Sequence, residues 1–192
     1  KVLHVIEEAG LKRGKDGLEV YLMCEIPANV VLADQFLDLV DGYSLGTNDL
    51  TQLTLGLDRD SELVSHIYDE RNQAVKDLVS AVINKCNERN KYIGICGQAP
   101  SDYQEFAEFV VECGIQTMSL NPDTVVKTRL AIAELEHKLA RRKTRFNPGF
   151  EIKSYHKTQP KKAPLKKAGK KSSAKIAKKA PLKKKKKSVS NK

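Results

Sequence analysis

Two carboxylates and a thiol are the side chains of this sequence whose types and surroundings best suit chemistry. They are Glu25, Asp49 and Cys96, with 24 positions from the first to the second and 47 from the second to the third. Glu25 follows the stretch Glu19-Val20-Tyr21-Leu22-Met23-Cys24, Asp49 closes Gly42-Tyr43-Ser44-Leu45-Gly46-Thr47-Asn48-Asp49, and Cys96 ends Tyr92-Ile93-Gly94-Ile95-Cys96. Glu25 and Asp49 brought onto one ion would suit a hard divalent cation, since Mg2+ commonly takes one or two carboxylates and fills its octahedron with water and substrate oxygens. Gly46, Thr47 and Asn48 would suit an anion, because glycine lets backbone approach a ligand while the hydroxyl, amide and N–H groups donate. Each residue also has a bland reading. Glu25 is then a solvated loop acid, Gly46-Thr47-Asn48-Asp49 a tight turn, and Cys96 a small packed hydrophobe. Gly94 and Gly97 beside Cys96 open space that a packing thiol does not require.

These residues need elements to position them, and strands and helices alternate along the chain. Lys1–Ala9 reads as a helix end, with Val2, Leu3, Val5 and Ile6 on its apolar side and Gly10 as its stop. A polar loop, Lys12–Gly17, leads to a strand over Leu18–Cys24, and Pro27 opens a helix over Ala28–Val40. Gly42–Leu45 is a second strand, Gly46–Ser61 a loop, and Arg71–Asn90 a long amphipathic helix. Tyr92–Cys96 is a third strand, followed by a helix over Asp102–Cys113 capped by Ser101 and stopped by Gly114. Gln116–Leu120 is a fourth strand, and Asn121-Pro122-Asp123 opens a last helix to about Lys143.

Four βα units of this kind predict a parallel sheet wrapped in helices. An open doubly wound sheet is disfavoured because no GxGxxG follows any strand. Polar residues at every strand exit suit a barrel, which keeps its catalytic groups at the carboxyl ends of its strands. A whole barrel needs eight strands and about 250 residues. The predicted fold is therefore α/β, the carboxyl-terminal half of a (β/α)8 TIM barrel over residues 1–143, with a tail over 144–192.

Charge divides the chain in the same place. Residues 1–140 hold 13 Lys/Arg against 23 Asp/Glu, and residues 141–192 hold 21 Lys/Arg against the single acid Glu151. The mean of +10 describes neither part. The tail repeats Ala-Pro-Leu-Lys-Lys at 163 and 180, has too few apolar residues for a core, and is predicted disordered. It resembles the lysine-rich tails of linker-histone-like proteins; with few aromatics, any contact with nucleic acid or another polyanion would be electrostatic. A solubilising role is the alternative. Four cysteines without CxxC spacing fit a reducing cytoplasm better than a disulfide or zinc framework. No apolar run reaches the ~18–20 residues of a membrane span, and no signal peptide opens the chain. The chain opens at Lys1, not Met, so further sequence is expected before it.

Met23-Cys24-Glu25-Ile26-Pro27, the block Gly46-Thr47-Asn48-Asp49-Leu50-Thr51-Gln52-Leu53-Thr54-Leu55-Gly56-Leu57-Asp58-Arg59-Asp60, and Gly94-Ile95-Cys96-Gly97-Gln98 resemble the phosphoenolpyruvate-utilising enzymes. Leu-Gly-Leu-Asp-Arg-Asp and Cys-Gly-Gln-Ala-Pro-Ser-Asp are most similar to the phosphoenolpyruvate synthase (pyruvate, water dikinase) branch. They are less similar to pyruvate phosphate dikinase and enzyme I of the sugar phosphotransferase system. Ser119-Leu120-Asn121-Pro122-Asp123 fits the same family, and the resemblance covers roughly residues 1–140.

The resemblance implies a complete enzyme that converts ATP, pyruvate and water to AMP, phosphoenolpyruvate and phosphate through a phosphohistidine, in gluconeogenesis. It implies Mg2+ held by Glu25 and Asp49, an enolate stabilised there, and substrate bound by Glu25, Gly46, Thr47, Asn48 and Asp49. It implies Cys96 as the general acid/base at the substrate methyl carbon. The nucleotide-binding domain, the phosphohistidine domain and the first barrel half have no counterpart among these residues, and they are expected upstream. None of His4, His66, His137 or His156 stands in a phosphohistidine context. A fragment inactive alone is the expectation; the oligomeric state stays open, a homodimer among the options. The runner-up is a catalytically incomplete barrel remnant whose basic tail binds nucleic acid or other polyanions.

Overall fold

The short apolar stretches become four parallel strands because each alternates between a face that must be buried and a face that need not be. In the computed structural model, which describes residues 1–146 and side chains as far as Arg141, these strands are β1 (Tyr21–Cys24), β2 (Gly42–Leu45), β3 (Tyr92–Ile95) and β4 (Thr117–Met118). Their spatial order is β1-β2-β3-β4, with Tyr21 opposite Gly42, Gly42 opposite Tyr92, and Gly94 opposite Thr117. Residues paired in register share a face. Cys24, Tyr43, Leu45, Ile93 and Ile95 thus form one apolar face, at most 2% exposed.

The helices of the described residues are α1 (Val2–Glu8), α2 (Pro27–Val31), α3 (Ala33–Leu37), α4 (Thr47–Leu55), α5 (Gln73–Glu88), α6 (Ala99–Asp102), α7 (Gln104–Glu112) and α8 (Val125–Phe146), and several of them cover that face. Val75, Val79, Val82, Ile83 and Cys86 of α5, Leu37 of α3, and Phe106 and Val110 of α7 pack with the strand residues into one core. The opposite sheet face is open, with Tyr21 at 42% and Met23 at 39% exposure. The rings of Tyr21 and Tyr92 stack there at 4.3 Å, across β2, where Gly42 offers no side chain to separate them.

The monotonic strand order decides between the two architectures. A doubly wound sheet reverses its order at a switch point and carries helices on both faces. Among the described residues neither occurs, and the four βα units are half the strand complement of a barrel. The open face is then the barrel interior.

Several boundaries differ from the sequence expectation. The segment expected as the loop Gly46–Ser61 contains α4. Thr, Asn and Asp have weak intrinsic helix propensity, but complete burial of Leu50 and packing of Leu55 against the core outweigh it. The helix expected over Ala28–Val40 is broken at Leu32 (φ −104°), after the β-branched pair Val30-Val31. Ser101 is not a cap. α6 already starts at Ala99, Tyr103 (φ −125°) separates it from α7, and Ser101 Oγ instead accepts a hydrogen bond from Asn121 N at 2.9 Å. β1 and β4 are shorter than expected, since fewer residues find ladder partners. α5 starts at Gln73 behind Asn72, whose Oδ1 accepts from Ala74 N at 2.9 Å.

All four cysteines are free thiols. No helix of the described residues is long and apolar enough to cross a membrane. The segment expected as a disordered basic tail lies, from residue 147 on, outside the described residues.

Candidate active-site rim

Each strand hands its chain to the rim in a way set by local hydrogen bonding. After β1, buried Asn29 turns its Oδ1 back to the N–H groups of Glu25 (3.4 Å) and Ile26 (3.3 Å). Tyr43 Oη donates to the Asn29 carbonyl at 3.1 Å, tying this turn to β2. Glu25 is half-buried and leans on the next exit: a Cβ at Gly46 would meet Glu25 Oε2 at 3.4 Å and Glu25 Cβ at 3.2 Å. Glycine at 46 leaves room for Met23 Cε, at 3.0 Å from such a Cβ, and for Glu25 beside the head of α4.

After β2, Gly46 is the N-cap of α4, and Thr47, Asn48 and Asp49 are its first turn rather than a tight turn. The free N–H groups and dipole of a helix start make this end electropositive, favourable to an anion or a carboxylate. Asp49 lies half-buried in that turn. Thr47 is fully buried, its hydroxyl turned to the β3 exit, where a Cβ at Gly97 would lie 1.7 Å from Thr47 Oγ1. Gly46 and Thr47 are thus enclosed, and Asn48, like Asp49, is a half-buried residue of this turn at the rim. Asn48 bridges to the same exit, accepting from Gln98 N at 3.1 Å and donating to Gln98 Oε1 at 3.4 Å.

After β3, Cys96 is exposed and sits over β2. Ser44 Oγ donates to its sulfur at 3.3 Å, and the thiol donates to the Leu45 carbonyl at 3.5 Å. Cys24 and Cys86 are buried, and burial pushes their thiols up to about 12 and about 11 respectively. Cys96 is therefore the thiol with both access and an oriented partner.

The structure thus joins Glu25 to Gly46, Thr47 to Gly97, Asn48 to Gln98, and Ser44 to Cys96 across three adjacent strands. Sequence reasoning overlooked Ser44, Asn29, Tyr68 and Glu70. Tyr68 Oη donates to the Asn48 carbonyl at 2.9 Å, and Glu70 is buried behind Thr47. Ser44 lies two residues before Gly46 on the open face, which a strand pattern alone could have marked. A cavity of about 600 Å3 lined by Leu3, Ile6, Arg13 and Asp41 lies at the amino ends of the strands, away from this rim.

Among the described residues no cluster of three or more His, Cys, Asp or Glu converges on a point. That excludes a closed zinc or calcium cage built from them. Glu25 and Asp49 are half-buried carboxylates at adjacent strand exits, the donor type suited to a cation that keeps water and substrate oxygens in its shell.

Residues 1–137 match the family described as PEP-utilising enzyme, PEP-binding domain. The chain is 62% identical over 139 residues to the phosphoenolpyruvate synthase of Aquifex aeolicus (strain VF5), covering 72% of this chain and 16% of that protein. It is 56% identical over 135 residues to that of Escherichia coli (strain K12), covering 70% and 17%. With the probable phosphoenolpyruvate synthase of Staphylothermus marinus it shares 48% identity over 141 residues, covering 72% and 17%. The chain thus spans about a sixth of the length of these relatives. From the match over residues 1–137, the chain belongs to the PEP-utilising enzyme family, as a PEP-binding domain.

Proposed function

We propose that residues 1–143 are the pyruvate- and phosphoenolpyruvate-binding part of a phosphoenolpyruvate synthase, acting with ATP-binding and phosphohistidine domains outside this chain. The observation that carries the reading is the interlocked rim, in which Glu25, the first turn of α4 and Cys96 lie at the carboxyl ends of three adjacent parallel strands. The relatives' name, phosphoenolpyruvate synthase, supports the same reaction class.

Glu25 and Asp49 would hold Mg2+, which when bound supplies Lewis-acid polarisation of the substrate oxygens. The backbone of Gly46, Thr47 and Asn48 receives the substrate carboxylate and phosphoryl group at the electropositive helix start. Asn48 does so with its side chain already locked onto Gln98, so it costs little further ordering on binding. Cys96 Sγ moves a proton to and from the methyl carbon of pyruvate, with Ser44 Oγ orienting the sulfur. The setting is the cytoplasm and the pathway gluconeogenesis. The nucleic-acid reading of the basic tail has no observation in its favour.

The test is exchange of pyruvate methyl protons with solvent deuterium, followed by NMR, in the protein as it is naturally produced. Exchange that depends on added Mg2+ and is lost in Cys96→Ala is expected; exchange indifferent to both would sink the proposal. The 192 residues alone are expected to form no AMP from ATP and pyruvate.

A further inference from the structure

Glu70 precedes α5 in the turn that Asn72 caps, and its position is unusual for an acid. It is only 5% exposed, and its Oε1 has no hydrogen-bond partner among the described residues. Facing it is the hydroxyl of Thr47, likewise buried and without a hydrogen bond of normal geometry. Thr51, one turn further along the same side of α4, also has an unpartnered buried hydroxyl, with Tyr68 beside it. Leaving such groups unpaired in an apolar setting costs about 1–3 kcal/mol each, and more if one is ionised. The Thr47 hydroxyl could itself donate to an ionised Glu70, but it supplies no counter-charge, and a carboxylate buried there with an unpartnered oxygen would stay uncompensated. The neutral acid avoids that cost and turns an O–H donor toward Thr47 Oγ1.

The surrounding charges favour that proton. Burial, and then Asp102 on α6 and the neighbouring Asp69, push the Glu70 carboxyl up from its ordinary value. The Thr47 hydroxyl and the guanidinium of Arg59 pull the other way, and the Tyr68 hydroxyl, itself acted on by Asp49, is a further titratable neighbour. Arg71, the adjacent cation, is engaged elsewhere, by Asp69 at 2.9 Å and Glu105 at 3.2 Å, and stacks over Tyr103.

We propose that Glu70 is a positioning residue: a neutral carboxylic acid whose O–H donates to Thr47 Oγ1 and locks the first turn of α4 against the β3 exit. Thr47 is then wedged between Glu70 and Gly97, while Tyr68 Oη holds the Asn48 carbonyl from the same side. The segment 68–70 thereby braces Thr47 and Asn48 in the first turn of α4. Its effect on ligand binding rests on the rim reading given above; its protonation does not.

The experiment compares wild type with Glu70→Gln and Glu70→Ala in the protein as it is naturally produced. Difference infrared spectra at neutral pH are expected to contain a protonated-carboxyl C=O band in wild type that Glu70→Gln lacks. Glutamine keeps a neutral donor, so its pyruvate affinity is expected within about twofold of wild type, against a loss of about tenfold in Glu70→Ala. A raised folded value means stability that is complete below the ordinary carboxyl value of 4.5 and is lost as pH rises through the folded value. Wild type should therefore lose stability relative to Glu70→Gln over that rise. Absence of the carboxyl band, or a glutamine variant as damaged as alanine, overturns the proposal. Should wild type bind no pyruvate, the rim reading fails, while the infrared band and the pH comparison still decide the protonation of Glu70.

Discussion

Thr47 and Gly97 meet across the β2 and β3 exits so closely that a Cβ at position 97 would lie 1.7 Å from Thr47 Oγ1 and 3.0 Å from Thr47 N. Two of the three rim segments are therefore in register only because position 97 is glycine. The buried hydroxyl on one side and the absent side chain on the other are one feature.

Gly97→Ala should push α4 away from β3. Overpacking of this kind costs about 1–3 kcal/mol, and denaturant unfolding measures it. Pyruvate affinity should fall by tenfold or more, about the effect of 1.4 kcal/mol of misplaced contacts. An alanine variant with unchanged affinity would mean that the first turn of α4 does not hold the ligand.

Cys96 should be the first thiol to react. It is exposed, whereas Cys24 and Cys86 are buried with their thiols pushed up to about 12 and about 11, so near pH 8 they hold almost no thiolate. Peptide mapping after brief alkylation of the native protein should find the label on Cys96, with half-buried Cys113 slower. Cys24 and Cys86 should react only after unfolding. Bound pyruvate should protect Cys96.

Glu25→Gln and Asp49→Asn each remove one charge from the proposed two-carboxylate site. Either should weaken Mg2+-dependent pyruvate binding by at least tenfold, about 1.4 kcal/mol, and chelation of Mg2+ should do the same to wild type. Calorimetric titration with and without Mg2+ separates the cation's contribution from that of the helix start. Equal pyruvate affinity in all conditions would exclude these residues as the cation's holders.

Asp41 carries a stability prediction independent of function. Its carboxylate accepts from Arg13 Nε at 3.0 Å and from Val20 N at 2.8 Å, and Arg13 Nη1 donates to the Leu39 carbonyl at 2.7 Å. The Arg13 hydrogen bond, first of all, holds Asp41 below its ordinary value of 3.8. A lowered folded value gives stability that is present above 3.8 and lost as pH falls through the folded value. Asp41→Ala should cost about 2 kcal/mol at neutral pH, and the difference from wild type should shrink in acid. Thermal unfolding between neutral pH and pH 3 checks the sign.

The strands and their exits were legible in the residues. Tyr92-Ile93-Gly94-Ile95 and Gly42-Tyr43-Ser44-Leu45 are apolar runs bounded by turn residues, and strand existence depends mainly on that local pattern. The helix over Thr47–Leu55 was not legible, because its residues favour turns and only the burial of Leu50 against the strands makes the helix pay.

The sequence by itself determined which residue types stand at the strand ends: Glu25, the Gly-Thr-Asn-Asp run and Cys96, together with the change in charge near residue 140. It did so because composition and short-range pattern are properties of neighbours along the chain. Only the tertiary structure decided that Thr47 faces inward to Gly97 and Glu70, that Ser44 reaches Cys96, and that Asn48 is bound to Gln98. Those contacts join residues about 20 to 50 positions apart. They follow from strand register and helix placement, in which a shift of one residue turns every side chain to the other face.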